Sequence, residues 1–558
     1  MWNRKPRGTR SGAAGVVAVA VPAAVMLALG LWGLDRGGAW RDEAVTLQVA
    51  RRSVPQIWRL LHGVDAVHGL YYLLMHVVLG LRATGEAADE VVVRLPSVVA
   101  AAVAAGLVAA LGTRLARPRV GLWAGLLYAV TPLVGHYAQE GRSYALVAAG
   151  AAGATLWLTK AVTGRPWWPY AAVVAVTCLL HELAVLLLLA HAVTLALWRV
   201  PRRVWGRWAA ASGTVLLVVA PLVLVSRRQA AQVAWLPVPG TATAERLLRE
   251  FTGPADGVYW VCVGLAVVAL AAGRRSELVR VALPLAVVPP LILMAVSQVR
   301  PVYDDRYVLY ALAGAPLLVA AGADRLLRSL PRAATPAGAL AVTLAGVLAV
   351  VLVFAQQLPL YRQDRTPASR PDNLAAVSAL AARELGPGDP VVFLPSIGRR
   401  TALAYPKGFR RARDIALTAS GPASGTLYGR EADAPVLRRR LDGLDRLWVV
   451  AESYALSSSW HPAEPTERLK LAVVTEEFVP REPRREYVRT GVTLRLYVRR
   501  APQVRPLRAG PPRIPPPQAG PLQVSPPQVG PAEVRPAGLR VPSRSPGSPP
   551  APPRPAPW

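Results

Sequence analysis

The sequence predicts an all-α polytopic membrane protein that carries a small α/β domain after its last span. Three observations predict this. Of 558 residues, 53% are hydrophobic, well above an ordinary soluble chain with its usual load of charge. Apolar runs recur from residue 14 to 359, separated by short loops. Those loops alternate in kind: arginine-rich and acid-poor turns on one side, mixed acid, base and aromatic clusters on the other. The resulting expectation is a basic N-terminus (1–13), a membrane region of about 11 crossings (14–359), an external α/β domain (360–500) and a disordered Pro-rich tail (501–558).

Ala14 to Leu34 is long enough to cross a ~30 Å hydrocarbon core. It follows Arg4, Lys5, Arg7 and Arg10, which favour a cytoplasmic start, and without a small-x-small cleavage site it reads as a retained anchor. Glu43 to Leu61 is a broken helical stretch with Pro55 inside it. The run from Gly69 to Leu81, opened by His68, is too short to span and suits the interface, with Trp58, Tyr71 and Tyr72 as interfacial aromatics. Spans follow from Arg94 to Gly112, where Arg114, Arg117 and Arg119 mark the cytoplasm, from Gly121 to Val134, and from Tyr144 back to Lys160. Trp167 to Trp198 holds one long helix or two short ones. Two, turning near His181-Glu182, keep Arg199, Arg202, Arg203 and Arg207 on the cytoplasmic side. Runs at 208–225, 258–272, 281–296, 308–323 and 337–354 complete the crossings, with a loop of about 30 residues from Ser226 to Gly257. The N-terminus is then cytoplasmic, the C-terminus external, and the setting the cell membrane.

After the last span, Asn373 to Glu384 reads as a helix closed by Gly386-Pro387-Gly388. Val391 to Leu394, Leu447 to Val450 and Val492 to Val498 read as strands. Pro, Gly, Arg, Val and Gln dominate from 501 onward, a composition that buries no core.

The net charge of +31 lies in loops and tail rather than along one groove, so it reads as topology, with the bilayer as partner and no nucleic acid. Cys178 and Cys262 fall inside apolar runs and define neither a disulfide framework nor a metal spacing. No Walker or dinucleotide phosphate loop and no HExxH is present.

Charged groups at a bilayer face are candidates for function. Four clusters share the outer face: Asp42-Glu43 just past the first span, His68 with Tyr71 and Tyr72, Gln139-Glu140 with Arg142, and Tyr303-Asp304-Asp305-Arg306. His181 and Glu182 reach the same face. Each has a plainer reading: acids cap helices, Glu140 and Arg142 can pair with each other, and Arg94 and Arg306 can snorkel to headgroups. A carboxylate beside cations also suits a base that takes a hydroxyl proton while arginine holds a departing phosphate. That is glycosyl transfer from a lipid-phosphate donor. The rival class is a lipid or polysaccharide transporter or flippase, which calls for broken midplane helices and internal repeats. An inactive scaffold binding the envelope is a third.

The ordered series Asp42-Glu43, His68-Gly-Leu-Tyr-Tyr-Leu-Leu, Arg94-Leu-Pro-Ser, Tyr137-Ala-Gln-Glu-Gly-Arg-Ser-Tyr and Asp305-Arg306-Tyr307 resembles the GT-C superfamily. Within it, the series is similar to the bacterial protein-mannosyltransferase and aminoarabinose-transferase relatives. The resemblance covers roughly residues 12 to 325. It implies an inverting transferase that uses a polyprenyl-phosphate sugar, mannose-like by analogy, and an extracytoplasmic acceptor on protein, lipid or glycan. Asp42 matches the family's base and Glu43 its neighbour. His68, Tyr71, Arg94, Glu140, Arg142, His181, Tyr303, Asp305 and Arg306 fall on the substrate side. The resemblance implies no certain cofactor and leaves a divalent metal open.

Overall fold

The computed structural model describes residues 12–81, 89–273, 276–328, 335–370, 372–457, 459–481, 487–489 and 491–501. The described residues from Gly12 to Arg500 form one compact unit. The expected Pro-rich disorder falls on 501–558, which, apart from Ala501, lies outside the described residues, as do residues 1–11 of the basic N-terminus.

The helices in the membrane region are α1 (Ala13–Leu31), α2 (Arg41–Ala50), α3 (Val54–Leu61), α4 (Gly69–Gly80), α5 (Asp89–Leu115), α6 (Pro118–Ala129), α7 (Pro132–Ala138) and α8 (Tyr144–Val162). They continue with α9 (Trp168–Leu180), α10 (Leu186–Trp198), α11 (Arg202–Arg228), α12 (Thr241–Thr252), α13 (Asp256–Gly273) and α14 (Glu277–Val296). A 3₁₀ segment, Asp305–Ala313, then runs into α15 (Gly314–Arg328), and α16 (Pro336–Asp364) ends the series.

Among the described residues, seven helices are long and apolar enough to cross a membrane: α1, α5, α8, α11, α14, α16 and the 3₁₀ segment with α15. The α12–α13 pair, bent by 86°, makes an eighth if it is one span. All eleven expected crossings are helical, but α6, α9 and α10 have only 12, 13 and 13 residues. At 1.5 Å per residue, such helices reach about 20 Å, short of the ~30 Å core. By length and composition alone, seven or eight of the 11 expected helical crossings qualify among the described residues. Thr131-Pro132 ends α6 and starts α7, and His181 to Val185 separates α9 from α10, giving the two short helices expected there. The 30-residue loop expected after Ser226 contains α12.

Small residues bring the helices together, as packing within a bilayer requires. A Cβ at Gly121 of α6 would stand 2.2 Å from the Ala109 carbonyl oxygen of α5, and one at Gly322 of α15 would stand 1.9 Å from that of Leu265 in α13. Tyr71 and Tyr72, expected at an interface, are fully buried instead. Residues on α2, α5 and α8 share their hydrophobic cluster, so α4 lies within the bundle.

Beyond α16 come α17 (Leu374–Glu384), α18 (Arg400–Ala404), α19 (Gly421–Ser424), α20 (Ala434–Asp442) and α21 (Pro465–Ala472). The strands are β1 (Pro390–Leu394), β2 (Arg413–Asp414), β3 (Leu417–Ala419), β4 (Arg430–Glu431), β5 (Arg446–Glu452), β6 (Phe478–Pro480), β7 (Tyr487–Arg489) and β8 (Val492–Arg499). Asn373 accepts a hydrogen bond from the Ala376 N–H and so caps α17, as short polar side chains at that position do. The main sheet runs β2-β1-β5-β8-β6, with β7 also on β8. β1 is parallel to β2 and β5, while β8 is antiparallel to its neighbours. The buried run in β1 is what a strand covered on both faces needs. Leu374, Val377 and Leu380 of α17 cover one face, and Leu437 and Leu441 of α20 the other.

This region is fastened to the first loop. Asp372 accepts from Arg41 Nε at 3.0 Å, the Tyr405 hydroxyl accepts from the Ala39 N–H at 2.7 Å, and Arg51 donates to the Ala404 carbonyl at 2.9 Å. Ala44 of α2 shares the hydrophobic cluster of α17.

Candidate active site

The Asp-Glu pair opens α2, and its two carboxylates have different surroundings. Successive helical residues point about 100° apart, so one is fully enclosed and the other stays partly exposed. Glu43 is fully buried. Its Oε1 and Oε2 each accept from Arg94 at 2.7 Å, and Oε1 also accepts from the Gly141 N–H at 2.9 Å. Burial disfavours its charge, but Arg94 outweighs burial and holds its pKa at about 2. Arg94, expected as a free cation for phosphate, gives its remaining N–H groups to the carbonyls of Leu34, Gly37 and Gly38 at 3.0, 3.4 and 3.1 Å. A guanidinium has five N–H groups, so no donor is left for a ligand.

Asp42 retains 22% side-chain exposure and accepts from Arg306 Nη1 at 2.8 Å. Burial opposes its charge, yet Arg142, Arg306 and Arg41 together keep its pKa below the usual carboxylate value. The guanidinium of Arg306 lies 5.7 Å from the ring centre of Tyr144 and 5.6 Å from that of Tyr307, within cation–π range. Its backbone N–H is held by Asp304 at 3.2 Å.

Behind this pair, Arg142 Nη2 lies 3.0 Å from His68 Nε2, and its Nη1 donates to the Tyr72 hydroxyl at 3.4 Å. Arginine cannot accept, so His68 Nε2 is the acceptor and the imidazole proton sits on Nδ1. Burial, reinforced by Arg142, His181 and Arg306, lowers the His68 pKa and keeps the ring neutral. Tyr72 donates to Asp65. Burial raises the Asp65 pKa, against the pull of Arg142. Asp65, in the left-handed region at φ 60°, escaped the sequence reading. A lone acid in a loop carries no pattern, and the one cue was its place three residues before His68.

Glu140 does not pair with Arg142. It is 1% exposed, and neither carboxylate oxygen has a hydrogen-bond partner. Burial pushes its pKa up to about 7, with His136 and Arg306 pulling the other way. Its neighbour Gln139 instead donates to the carbonyls of Gly30 and Trp32 at 2.9 and 2.8 Å, tying the loop to α1. His181 joins the site through rings: its centre is 4.8 Å from Tyr307, 5.8 Å from Tyr144 and 6.0 Å from His68.

Other expected residues face elsewhere. Asp305 pairs with Arg246 of α12 at 2.7 Å and accepts from the Tyr303 hydroxyl at 2.9 Å, so this trio fastens α12 rather than joining Asp42. Glu182 accepts from Ser226. Tyr71, by contrast, is fully buried at the site, with Ser97, Arg142, Glu43 and Glu140 around its hydroxyl. Among the described residues, no group of three His, Cys, Asp or Glu side chains is arranged to hold a metal ion.

A helical membrane bundle fastened to a mixed α/β region is a fold that this chain shares with a solved bacterial membrane protein. Residues 70–225 match the family described as dolichyl-phosphate-mannose-protein mannosyltransferase. Among solved structures, the chain is similar to ArnT from Cupriavidus metallidurans in the apo state, with a TM-score of 0.53 and 13% identity, covering 85% of this chain and 97% of that one. It is also similar to that protein bound to undecaprenyl phosphate, with a TM-score of 0.49, 14% identity and coverage of 87% and 98%. The apo form of the Archaeoglobus fulgidus oligosaccharyltransferase gives a TM-score of 0.48 and 11% identity, with coverage of 86% and 74%. No curated protein matches the sequence.

Proposed function

We propose that this protein transfers a sugar from a polyprenyl-phosphate donor to an acceptor hydroxyl, with Asp42 as general base. The carrying observation is the 2.8 Å contact between a part-exposed, ionised Asp42 and Arg306, with Arg142 behind them. The match of residues 70–225 to a family described by a dolichyl-phosphate sugar supports a lipid-phosphate donor and a mannose-like sugar.

In this reading the donor phosphate draws Arg306 away from Asp42 and frees the carboxylate. The acceptor oxygen attacks the anomeric carbon from the face opposite the phosphate, the bond from that carbon to the phosphate oxygen breaks, and the configuration inverts. The hydroxyl proton passes to Asp42, and the polyprenyl phosphate leaves with the bond's electron pair, its charge met by Arg306 and Arg142. Neutral His68, the Tyr72–Asp65 pair and the His181 ring hold Arg142 and Arg306 in place. Glu43 and Arg94 position α2, while Tyr303 and Asp305 hold α12 beside the site. The site faces outward, with the N-terminus cytoplasmic and residues 360–500 outside, in keeping with the arginine-rich turns at Arg114–Arg119 and Arg325–Arg328.

Asp42→Asn tests the reading. Positioned bases contribute ~10²–10⁴-fold, so transfer from polyprenyl-phosphate sugars in membranes should fall by about that factor while donor binding survives. Transfer at close to the parent rate, at equal protein level, returns Asp42 to a helix cap.

A further inference from the structure

Buried polar atoms without partners gather along the seam where α18 packs on α2. Gln48 lies on α2, and Arg52 lies two residues past its end. Gln48, Arg52, Arg400 and Thr401 are 6%, 4%, 3% and 0% exposed. Yet Gln48 Oε1 and Nε2, Arg52 Nε and Nη1, Arg400 Nε and Thr401 Oγ1 make no hydrogen bond. Folded proteins satisfy nearly all such groups, so this concentration calls for a polar occupant. Its sign follows from charge. Arg400 is paired with Glu452 at 2.6 Å, but among the described residues no carboxylate pairs with Arg52, and a buried unpaired cation is costly. Arg52 is also held ready: its Nη2 donates to the Leu427 carbonyl at 3.1 Å, a path open because residue 421 is glycine, where a Cβ would stand 2.8 Å from that nitrogen.

The seam leads to the reacting end. Tyr428, next to Leu427, has Arg400, Asp42, Asp65 and Glu452 among its charged neighbours, and Arg52 has Tyr72. Among the described residues no hydrogen bond or ion pair joins Arg52 to Asp42 or Arg306, whose own pair stands apart from it, so the anion at Arg52 is taken as a different group from the phosphate at Arg306.

We infer that the α2–α18 seam binds an anionic group, phosphate or carboxylate, on the sugar acceptor, with Arg52 as its cation and Gln48, Arg400 and Thr401 completing the contact. This rests on the glycosyl-transfer reading, since it takes the Asp42 end as the place where the acceptor hydroxyl reacts.

The test is a titration of the full chain in dodecyl maltoside, with undecaprenyl phosphate present throughout to occupy the Arg306 end. Methyl glucoside, methyl glucoside 6-phosphate and methyl glucuronide serve as probes. One charge-assisted contact is worth about 10-fold in affinity, so at least one anionic probe should bind about 10-fold tighter than the neutral one. Arg52→Met should abolish that preference and Arg306→Ala should keep it. If Arg52→Met does not accumulate, Gln48→Leu should cut the preference about threefold. No preference in the parent, a preference that survives Arg52→Met or Gln48→Leu, or one lost in Arg306→Ala overturns the inference. Because the titration reads no transfer, a failure of the Asp42→Asn test leaves its result standing, and the two readings fail separately.

Discussion

Arg306 Nη1 stands 2.8 Å from Asp42 Oδ2 across 264 residues of chain. The first loop and the start of α15's 3₁₀ segment therefore meet at one ion pair, with the cation also within cation–π range of the rings of Tyr144 and Tyr307. The proposed cycle turns on that pair: the arginine must move from carboxylate to phosphate.

Arg306→Ala should therefore act differently from Asp42→Asn. It removes charge stabilisation of the leaving phosphate and should lower kcat by ~10²–10³-fold while raising the donor KM. Steady-state transfer at varied donor concentration checks this. A variant with reduced kcat but unchanged donor KM would place Arg306 away from the phosphate.

Arg94→Met should strike stability rather than donor binding. It strands a fully buried Glu43 without its bidentate partner, a loss of about 3–5 kcal/mol for buried pairs. Adding Glu43→Leu, which removes the stranded charge, should recover much of it. Thermal unfolding of the single and double variants in detergent gives the comparison, and equal melting temperatures for parent and Arg94→Met would refute the anchoring role.

Glu140 supplies a pH dependence with a definite sign. Burial raises its folded-state pKa from 4.5 to about 7, so the folded chain keeps a proton that the unfolded chain releases. The stability this gives is full below about pH 4.5, and is lost as pH rises to about 7. Its ceiling is roughly 3 kcal/mol, at 1.36 kcal/mol per pKa unit. Relative to Glu140→Gln, the parent should lose melting temperature between these pH values and run parallel to it above about pH 7. Parallel curves across the whole range would mean that Glu140 titrates in the fold as it does in the unfolded chain.

The proposed orientation is open to a chemical test. Both natural cysteines are buried, and Ser420 is exposed. Ser420→Cys should react with a membrane-impermeant maleimide in intact cells. Labelling only after lysis would invert the topology.

Much of this arrangement was legible in the chain, for reasons that vary by residue. Asp42 and Glu43 stood out because two acids beside a span are conspicuous, and Arg142 and Arg306 because cations at helix ends are. Their partners were not legible, since contacts between Glu43 and Arg94 or Asp42 and Arg306 depend on how helices pack. Arg94 read as free because a sequence records no count of engaged donors. Asp305 sits beside Arg306 in the chain, but its side chain turns to α12, which lay hidden in a segment read as a loop. Strands β1, β5 and β8 were read closely because continuous runs such as Val391 to Leu394 mark buried strands, whereas the two- and three-residue β2, β3, β4, β6 and β7 are too short to leave a pattern. The turn at His181-Glu182 was legible from the flanking arginines, whereas the break at Thr131-Pro132 was not, because it interrupts a run whose composition alone suits a crossing.

The fastening of Arg41 to Asp372 and of Ala39 to Tyr405 sets an order of assembly. The partners are separated by 331 and 366 residues, so a ribosome that has released the first loop has most of the protein still to make. Until residues 372 to 405 emerge and fold, α2 lacks the contacts that fix its first turn. The first turn of α2 is thus finished late, after the helices through α16 have been made, although Arg94 and Gly141, which hold Glu43, come early in the chain.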